Sequence, residues 1–184
     1  MEDRRIIELF FERSEQAVFE LSQKYGAVCL KTALNILGDP QDAEECVSDV
    51  WLAVWNNIPP ERPDPLIAYV CRIARNTALK RYRANTAAKR NSAFDVSLEE
   101  LKDCIPSHQT SDEADQKELS EAIDRFLKTL DPVNRAIFMR RYWFSDSISD
   151  IAEAFGITQH NVSVRLSRIR GKMRRFLKNE GIWI

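Results

Sequence analysis

The sequence predicts an all-α protein in which two small helical domains are joined by a flexible linker. Apolar residues recur at the helical period almost throughout the 184-residue chain, and no stretch alternates in the pattern of a strand. Several predicted helices begin at an Asp-Pro pair, and one internal stretch loses its apolar periodicity. The periodicity sets the fold class, the pairs place the helices, and the break divides them into two groups.

Asp-Pro pairs mark three of the helix starts. The aspartate caps the helix, and the proline takes the first helical position, where no N–H is needed. These pairs are Asp39-Pro40, Asp64-Pro65 and Asp131-Pro132. Gly38 and Gly156 suit the ends of two helices. The predicted helices span residues 4–12, 14–37, 40–57, 65–84, 113–129, 132–142, 148–155 and 159–178.

Residues 85–112 have the composition of a linker. The stretch "NTAAKRNSAFDVSLEELKDCIPSHQTSD" passes from basic to acidic and contains a proline and several small polar residues. Only a short helical turn is expected in it, at residues 98–102. The predicted domains are therefore residues 1–84 and 113–184, and a fully extended linker would span on the order of 90 Å.

The overall composition excludes several classes of protein. The net charge of −1 does not by itself indicate nucleic-acid binding. Four cysteines lie far apart without a C-x-x-C pair, so we expect reduced, mostly buried thiols, no metal site and no cofactor. No signal-peptide pattern is present and the longest apolar run, residues 50–55, is too short for a bilayer. We therefore expect a cytoplasmic protein without membrane insertion.

Residues 148–178 predict a helix-turn-helix. Ser147 and Asp150 form a capping box, Gly156 permits a left-handed turn residue, and Thr158 caps the second helix. One apolar stripe of the second helix is assigned to the core; its members are Val162, Leu166, Ile169, Met173 and Phe176.

Positive charge flanks this stripe on both sides, with no carboxylate among the cations. One flank holds Arg165, Arg168, Lys172 and Arg175, and the other holds Arg170, Arg174 and Lys178. A solvated helix face is the alternative, but such a face normally pairs its cations with glutamates four residues away. The pattern favours DNA binding, with arginines on phosphates and short or polar side chains near base edges. The candidate contacts are Gln159, His160, Ser163, Val164, Arg165, Ser167, Arg168 and Arg170.

The helix over residues 40–57 combines a buried stripe with an acidic and apolar outer face. The stripe consists of Ala43, Val47, Val50, Trp51 and Val54, and the outer face of Glu45, Ser48, Asp49, Leu52 and Trp55. An acidic surface with large apolar groups is typical of a protein-binding site. The alternative for Trp55 is packing against one of the first two helices.

A second basic helix follows the proline-rich loop "PPERPDP" at residues 59–65. It carries several cations and no acid, interleaved with Tyr69, Tyr82 and Asn76. Charge for the backbone, together with rings and amides for exposed bases, suits unpaired DNA. The alternative is that both tyrosines are core residues. The candidate contacts of this region are Arg62, Arg72, Arg75, Asn76, Lys80 and Arg83, and Arg81 adds to the same charge.

Both regions resemble one known family. "DPQDAEECVSDVWLAVW" and "YVCRIARNTALKRYR" are similar to the second conserved region of extracytoplasmic-function (ECF) sigma factors of the sigma-70 family, whose usual text is D-A-E-D-L-x-Q-E-V-F-L-x-V-W and I-A-R-N-x-A-x-D-x-x-R. "LKTLDPVNRAIFMRRYW" and "DIAEAFGITQHNVSVRLSRIRGKMRRFL" resemble their fourth region. The resemblance covers both predicted domains.

The resemblance implies a role for each surface in transcription initiation. It implies that residues 40–57 dock on the β′ clamp helices of core RNA polymerase, and that the β flap is a further polymerase contact. It implies that residues 59–84 open and read the promoter −10 element, with Asn76 meeting an extruded base, and that residues 159–170 read the −35 element. The linker would thread through polymerase. An anti-sigma factor is a further candidate partner.

Three departures from the family pattern concern the promoter sequence rather than the role. Lys80 stands where the family often has Asp, Ser48 where it has Gln, and Ser163-Val164 where it often has Lys-Ser.

Two other functions fit the sequence less well. A stand-alone helix-turn-helix regulator would usually dimerise on a palindrome, yet no dimerisation helix is evident. An enzyme is disfavoured because the sequence has neither a glycine-rich phosphate loop nor an H-E-x-x-H motif.

Overall fold

The computed structural model describes residues 1–84, 93–102, 104–105 and 113–182. Over these residues the protein is helical and contains no strand, which confirms the predicted all-α class. None of the helices in these ranges has both the length and the apolar character that a bilayer span requires. The helices are α1 (Asp3–Phe11), α2 (Gln16–Leu37), α3 (Pro40–Asn57), α4 (Leu66–Ala84), α5 (Ala93–Leu101), α6 (Glu113–Thr129), α7 (Pro132–Tyr142), α8 (Ile148–Phe155) and α9 (Gln159–Asn179).

The chain divides into two compact units, Met1–Phe94 and Asp95–Ile184. In the first unit α2 packs against α1, α3 and α4, and α3 also packs against α4. Its main core includes the fully buried Phe10, Leu21 and Leu66. A smaller cluster of buried apolar residues contains Ala33, Ile36, Leu37, Ala43, Cys46, Ala78 and Phe94.

Two of the three Asp-Pro starts are observed as predicted. The Asp39 carboxylate accepts hydrogen bonds from the backbone N–H groups of Gln41 and Asp42 at 3.0 and 3.1 Å. Asp131 accepts one from the backbone N–H of Asn134 at 3.0 Å. At the third pair the helix begins at Leu66, one residue later than predicted.

The second unit packs α6, α7 and α8 around α9. The predicted stripe of α9 lies in the core: Val162 and Met173 are fully buried, and Phe176 packs against Phe126 with 5.6 Å between ring centroids. Leu177, which the predicted stripe omitted, is also fully buried. The long helix α9 is therefore held by its apolar stripe, and its two flanks remain available for polar contacts.

The structure differs from the predicted linker in one respect. A two-and-a-half-turn helix, α5, stands where only a turn at residues 98–102 was expected. Phe94 belongs to the core of the first unit and meets the ring of Tyr82 edge-on, with 5.3 Å between centroids. Leu101 and Cys104 pack in the core of the second unit. So few buried apolar residues give this stretch of sequence no helical periodicity, and only a turn could be predicted from it. Residues 85–92, 103 and 106–112 of the predicted linker lie outside the described residues.

The four cysteines are buried and are not joined in disulfides, as predicted. Burial raises the pKa of the Cys29 thiol to about 12 and that of Cys46 to about 11. At neutral pH these thiols are protonated, and they serve as small core residues.

Candidate nucleic-acid interface

The turn between α8 and α9 is built from local capping interactions. The Ser147 hydroxyl accepts a hydrogen bond from the backbone N–H of Asp150 at 3.1 Å, and Thr158 does the same for Asn161 at 3.2 Å. Gly156 ends α8 in the left-handed region with a φ of 61°. Ile151 and Val162, one on each helix, are fully buried. This arrangement is the predicted helix-turn-helix.

Half of the eight predicted DNA contacts of α9 are exposed at its surface. The side chains of Gln159, His160, Ser167 and Arg168 are exposed. Gln159 donates a hydrogen bond from Nε2 to the Ser149 hydroxyl at 3.3 Å, which links the start of α9 to α8.

The other predicted contacts of α9 are partly covered. Ser163 donates from its hydroxyl to the backbone carbonyl of Gln159 at 3.0 Å, and Val164 is half-buried. Arg165 donates from Nε to Asn161 Oδ1 at 2.8 Å and from Nη1 to Asn134 Oδ1 at 3.2 Å. Both acceptors of Arg165 are neutral amides, so its positive charge is not neutralised by these contacts.

Arg170 lies in a different setting from the one predicted. Its Nη1 donates to Glu100 Oε2 at 3.1 Å and to the Tyr142 hydroxyl at 2.7 Å, and its side chain is 24% exposed. A guanidinium held in this way is not available to a phosphate while the contacts persist. The premise that Arg170 lacks a carboxylate partner is therefore wrong, because Glu100 of α5 pairs with it. A DNA contact by Arg170 stays a prediction that would require its release from Glu100.

The group around Glu100 also includes Arg141, which the sequence reasoning missed. The Arg141 side chain is only 3% exposed; its Nη2 donates to Glu100 Oε1 at 2.6 Å and its Nη1 donates to the backbone carbonyl of Asp146 at 2.9 Å. A buried charge requires such pairing, since its desolvation is unfavourable. No local pattern could identify this pair, because the two residues are 41 positions apart.

The cations of α4 occupy several environments. Arg72, Lys80 and Arg83 are exposed, as is Asn76. Arg75 is half-buried; its guanidinium lies 5.8 Å from the centroid of the Phe94 ring, and burial lowers its pKa. The exposed residues Arg72, Asn76, Lys80 and Arg83 stay predicted as DNA contacts. Burial restricts how far the Arg75 side chain can reach toward a ligand.

Aromatic residues near this surface pack inside the first unit or against cations. Tyr69 is 7% exposed and belongs to the main core, and Tyr82 packs at the smaller cluster. Both tyrosines therefore have the core positions that were the alternative to base stacking. In the preceding loop, the Arg62 guanidinium stacks on the Phe11 ring at 3.8 Å from the centroid. This contact leaves Arg62 exposed at the surface.

The outer face of α3 is acidic and apolar, as predicted. Glu45, Ser48 and Asp49 are exposed, and Leu52 is 60% exposed. Trp55 is half-buried: its ring meets Phe10 of α1 edge-on, with 6.0 Å between centroids. The packing alternative therefore applies to Trp55, although the residue is not fully buried.

Arg81 links this acidic face to α4. Its Nη1 donates to Glu45 Oε2 at 2.7 Å and its Nη2 donates to Asp49 Oδ2 at 2.8 Å. These two acids are one helical turn apart on α3, so one guanidinium bridges both. Next to Arg81 is an open groove of about 500 Å³ lined by Asp49, Asn76, Thr77, Lys80, Arg81 and Ala84.

Comparison with known proteins assigns both units to one family. The model of Sigma-70 region 2 matches residues 21–88, and the model of Sigma-70 region 4 matches residues 120–173. The RNA polymerase sigma-E factor of Streptomyces avermitilis is 26% identical over 156 residues, which cover 83% of this chain and 80% of that protein. The ECF RNA polymerase sigma factor SigL of Mycobacterium tuberculosis is 26% identical over 169 residues, which cover 88% and 89%.

Among solved structures, that of CnrH in complex with the cytosolic domain of CnrY aligns over 96% of this chain and 97% of that chain, with 21% identity and a TM-score of 0.45. The two family models, one for each unit, and the named relatives agree with the sequence resemblance. The chain belongs to the ECF group of the sigma-70 family, the RNA polymerase sigma factors that bind core polymerase and direct promoter recognition and transcription initiation.

Proposed function

We propose that the two units divide promoter recognition between them: residues 1–84 bind core polymerase and the −10 element, and residues 113–184 bind the −35 element. The observation that supports this division is the presence of exposed cations on α4 in one compact unit and on α9 in the other. Phosphate contacts position a protein on DNA, so each unit has its own means of attachment. Residues 85–112 would connect the two through polymerase.

The outer face of α3 is the proposed polymerase surface. Leu52 supplies an exposed apolar contact, and Glu45 and Asp49 supply negative charge around it. Interfaces commonly combine a small apolar centre with a charged rim. Ser48 and the half-buried Trp55 complete the proposed face. The proposed partner elements are the β′ clamp helices for this face and the β flap for the second unit.

The exposed part of α4 is the proposed −10 surface. Arg72, Lys80 and Arg83 would contact the backbone of the unpaired strand, and Asn76 would hydrogen-bond an extruded base. Base extrusion costs a few kcal/mol of unstacking, which these contacts would offset together with those of polymerase. Arg62 in the preceding loop would add a further backbone contact.

The N-terminal half of α9 is the proposed −35 surface. Gln159, His160 and Ser167 are exposed polar residues that would lie near base edges in the major groove, with Ser163 and Val164 beside them. Arg165 and Arg168 would contact phosphates and fix the register of the helix on the duplex. Arg170 is not included, because it is engaged with Glu100 and Tyr142.

The same proposal covers the cellular setting. As an initiation factor, the chain would act in the cytoplasm beside polymerase and would perform no covalent chemistry of its own. An anti-sigma factor is a proposed regulator, and the exposed acidic and apolar face of α3 would offer it a contact. Such a protein would keep the factor from its polymerase.

Transcription with purified components tests the function. The protein is mixed with core polymerase and a pool of genomic fragments, and the transcripts are sequenced. Transcripts that start at defined sites only when the protein is present support the proposal. If transcription does not depend on the protein, while the protein alone footprints a duplex at moderate salt, the stand-alone regulator is the better description.

A single substitution tests the proposed −10 surface. Asn76→Ala should impair promoter opening, measured by permanganate reactivity of unpaired thymines, and should leave polymerase binding unchanged. Gln23→Ala is the matched control, since Gln23 is an exposed amide on α2 of the same unit. Loss of polymerase binding in Asn76→Ala would mean that the two surfaces have been assigned to the wrong helices.

A further inference from the structure

Arg81 connects two surfaces to which different partners have been assigned. Its guanidinium bridges Glu45 and Asp49, which belong to the proposed polymerase surface, at 2.7 and 2.8 Å. The same side chain lines the groove beside Asn76 and Lys80, which belong to the proposed −10 surface. Arg81 therefore borders both the proposed polymerase surface and the proposed −10 surface.

The two carboxylates that pair with Arg81 are exposed to solvent, so a binding partner can replace Arg81 in these ion pairs. The side chains of Glu45 and Asp49 are 56% and 54% exposed, so solvent and salt screen their attraction to the guanidinium. Exposed pairs of this type contribute little to stability. A partner that presents its own cations to Glu45 and Asp49 can therefore displace Arg81 at little cost.

Displacement would leave the guanidinium at the wall of the groove. Thr77, Lys80 and Ala84 line this wall on the same face of α4, at the three- and four-residue spacings that bring side chains together on a helix. A guanidinium can bind one phosphate with two parallel hydrogen bonds. The two nitrogens that would form them, Nη1 and Nη2, now donate to two separate carboxylates, one to Glu45 and one to Asp49. Among the residues that the structure describes, the neighbouring Lys80 forms no ion pair.

We infer that Arg81 is a further DNA-contacting residue, which Glu45 and Asp49 neutralise in the free protein and which polymerase binding to those two acids releases for a phosphate of the unpaired strand. This inference rests on the proposed function of α3 and α4. It couples the two partners: polymerase binding raises the affinity for single-stranded DNA, and by linkage single-stranded DNA raises the affinity for polymerase.

A cycle of variants in the full-length protein separates Arg81 from the general effect of charge. The acids are removed by Glu45→Gln with Asp49→Asn, which keeps the size of both side chains, and Arg81→Gln is made in the native and the acid-free background. Binding of a fluorescent single-stranded oligonucleotide is measured by anisotropy between 50 and 200 mM salt, without polymerase. Circular dichroism verifies that each variant is helical. If Arg81→Gln is poorly folded, Arg81→Lys replaces it in the cycle. This variant keeps the positive charge but lacks the two-pronged guanidinium donor.

The inference predicts a specific pattern in this cycle. Removing the acids should tighten binding and steepen the dependence of log K on log salt by about 0.7, the value for one additional phosphate contact on a single strand. Arg81→Gln should have little effect in the native background and should abolish the additional slope in the acid-free background. Lys80→Gln, the matched cation control, should weaken binding equally in both backgrounds.

Two outcomes would contradict different statements. If Lys80→Gln and Asn76→Ala weaken binding but Arg81→Gln has the same effect with and without the acids, the inference is wrong and the −10 surface stands. If neither Lys80→Gln nor Asn76→Ala changes the binding of single strands, the proposed −10 surface itself is wrong. With polymerase present, the native protein should show the steeper salt dependence that the acid-free variant shows alone.

Discussion

The carboxylate of Glu100 and the guanidinium of Arg141 form a hydrogen-bonded ion pair of 2.6 Å in which the arginine is almost completely buried. Tyr142 donates its hydroxyl to the same carboxylate at 2.9 Å, and Arg170 donates to it at 3.1 Å. The Glu100 carboxylate thus joins α5, α7 and α9 of the second unit. Three charged groups share one site, so the removal of one leaves the others without compensation.

Glu100→Gln should destabilise the second unit. The substitution removes the negative charge but leaves Arg141 buried and positive, and breaking a buried pair in this way costs about 3–5 kcal/mol. Because the Glu100 side chain is 22% exposed, we expect about 3 kcal/mol, the lower end of that range. Hydrogen exchange of peptides from α7 and α9 in the full-length protein measures the loss, and peptides from α2 serve as the internal reference.

Glu99→Gln is the matched control for this prediction. Glu99 is next to Glu100 on α5 and is 69% exposed; within the part of the chain that the structure describes, it pairs only with the exposed Lys102. We expect a change within about 0.5 kcal/mol, as for surface substitutions in general. Equal protection of α7 and α9 in the two variants would show that Glu100 does not hold the unit together.

Stability of the second unit should depend on acid pH through the same carboxylate. Burial alone would raise the pKa of Glu100, but the hydrogen bonds and charges of Arg141, Tyr142 and Arg170 outweigh it and hold that pKa below its ordinary value of 4.5. A carboxyl group with a lowered pKa in the folded state contributes stability above 4.5, and the contribution is lost as the pH falls through the folded pKa.

The difference in unfolding free energy between the wild type and Glu100→Gln should therefore be constant near neutral pH and should shrink below about pH 4.5. Hydrogen exchange is corrected for its intrinsic pH dependence, or denaturant titrations are made at each pH. A difference that grows on acidification would mean that Glu100 titrates in the opposite sense.

Local chemistry explains why the helices could be predicted from the sequence. Asp39 and Asp131 cap the first turns of α3 and α7 with hydrogen bonds to residues two or three positions away. Gly156 and Thr158 fix the turn before α9 in the same local way. Caps and turns depend on residues that are close in sequence, so they can be predicted from the sequence. A buried stripe can also be predicted, because its apolar residues recur at the helical period.

The pairing of charges could not be predicted, because it depends on tertiary contacts. Arg170 and Glu100 are 70 positions apart, and Arg81 is 36 and 32 positions from Glu45 and Asp49. The absence of a nearby carboxylate on α9 predicts unpaired positive charge, but Arg170 pairs with Glu100 of α5. The same limit applies to α5, whose few apolar residues are buried by contacts distant in sequence.

Substitution by alanine should change the stability of the second unit in opposite directions at Gly156, which ends α8, and at Gly171, which lies inside α9. Gly156 has a φ of +61°, and a β-carbon there would meet nothing within 4 Å, so Gly156→Ala introduces backbone strain of about 1–2 kcal/mol without a clash. Gly171 lies inside α9, where a β-carbon also meets nothing. Gly171→Ala should stabilise the helix by about 0.5–1 kcal/mol. Denaturant unfolding of the two variants measures both values, and a gain in stability from Gly156→Ala would contradict the left-handed conformation.

Leu52 and Trp55 should separate polymerase binding from stability. Leu52 is 60% exposed, so Leu52→Ala should leave the melting temperature unchanged but weaken binding to core polymerase by about tenfold, as expected for a central interface residue. Trp55→Ala should weaken binding and also cost about 2 kcal/mol of stability, less than a fully buried aromatic residue, because the packing of its ring against Phe10 is lost.

Leu30→Ala on α2, at a leucine that is 38% exposed, is the control for loss of exposed apolar surface. Fluorescence titration of labelled core polymerase and thermal unfolding measure the two effects. Normal polymerase affinity in Leu52→Ala would remove the outer face of α3 from the interface.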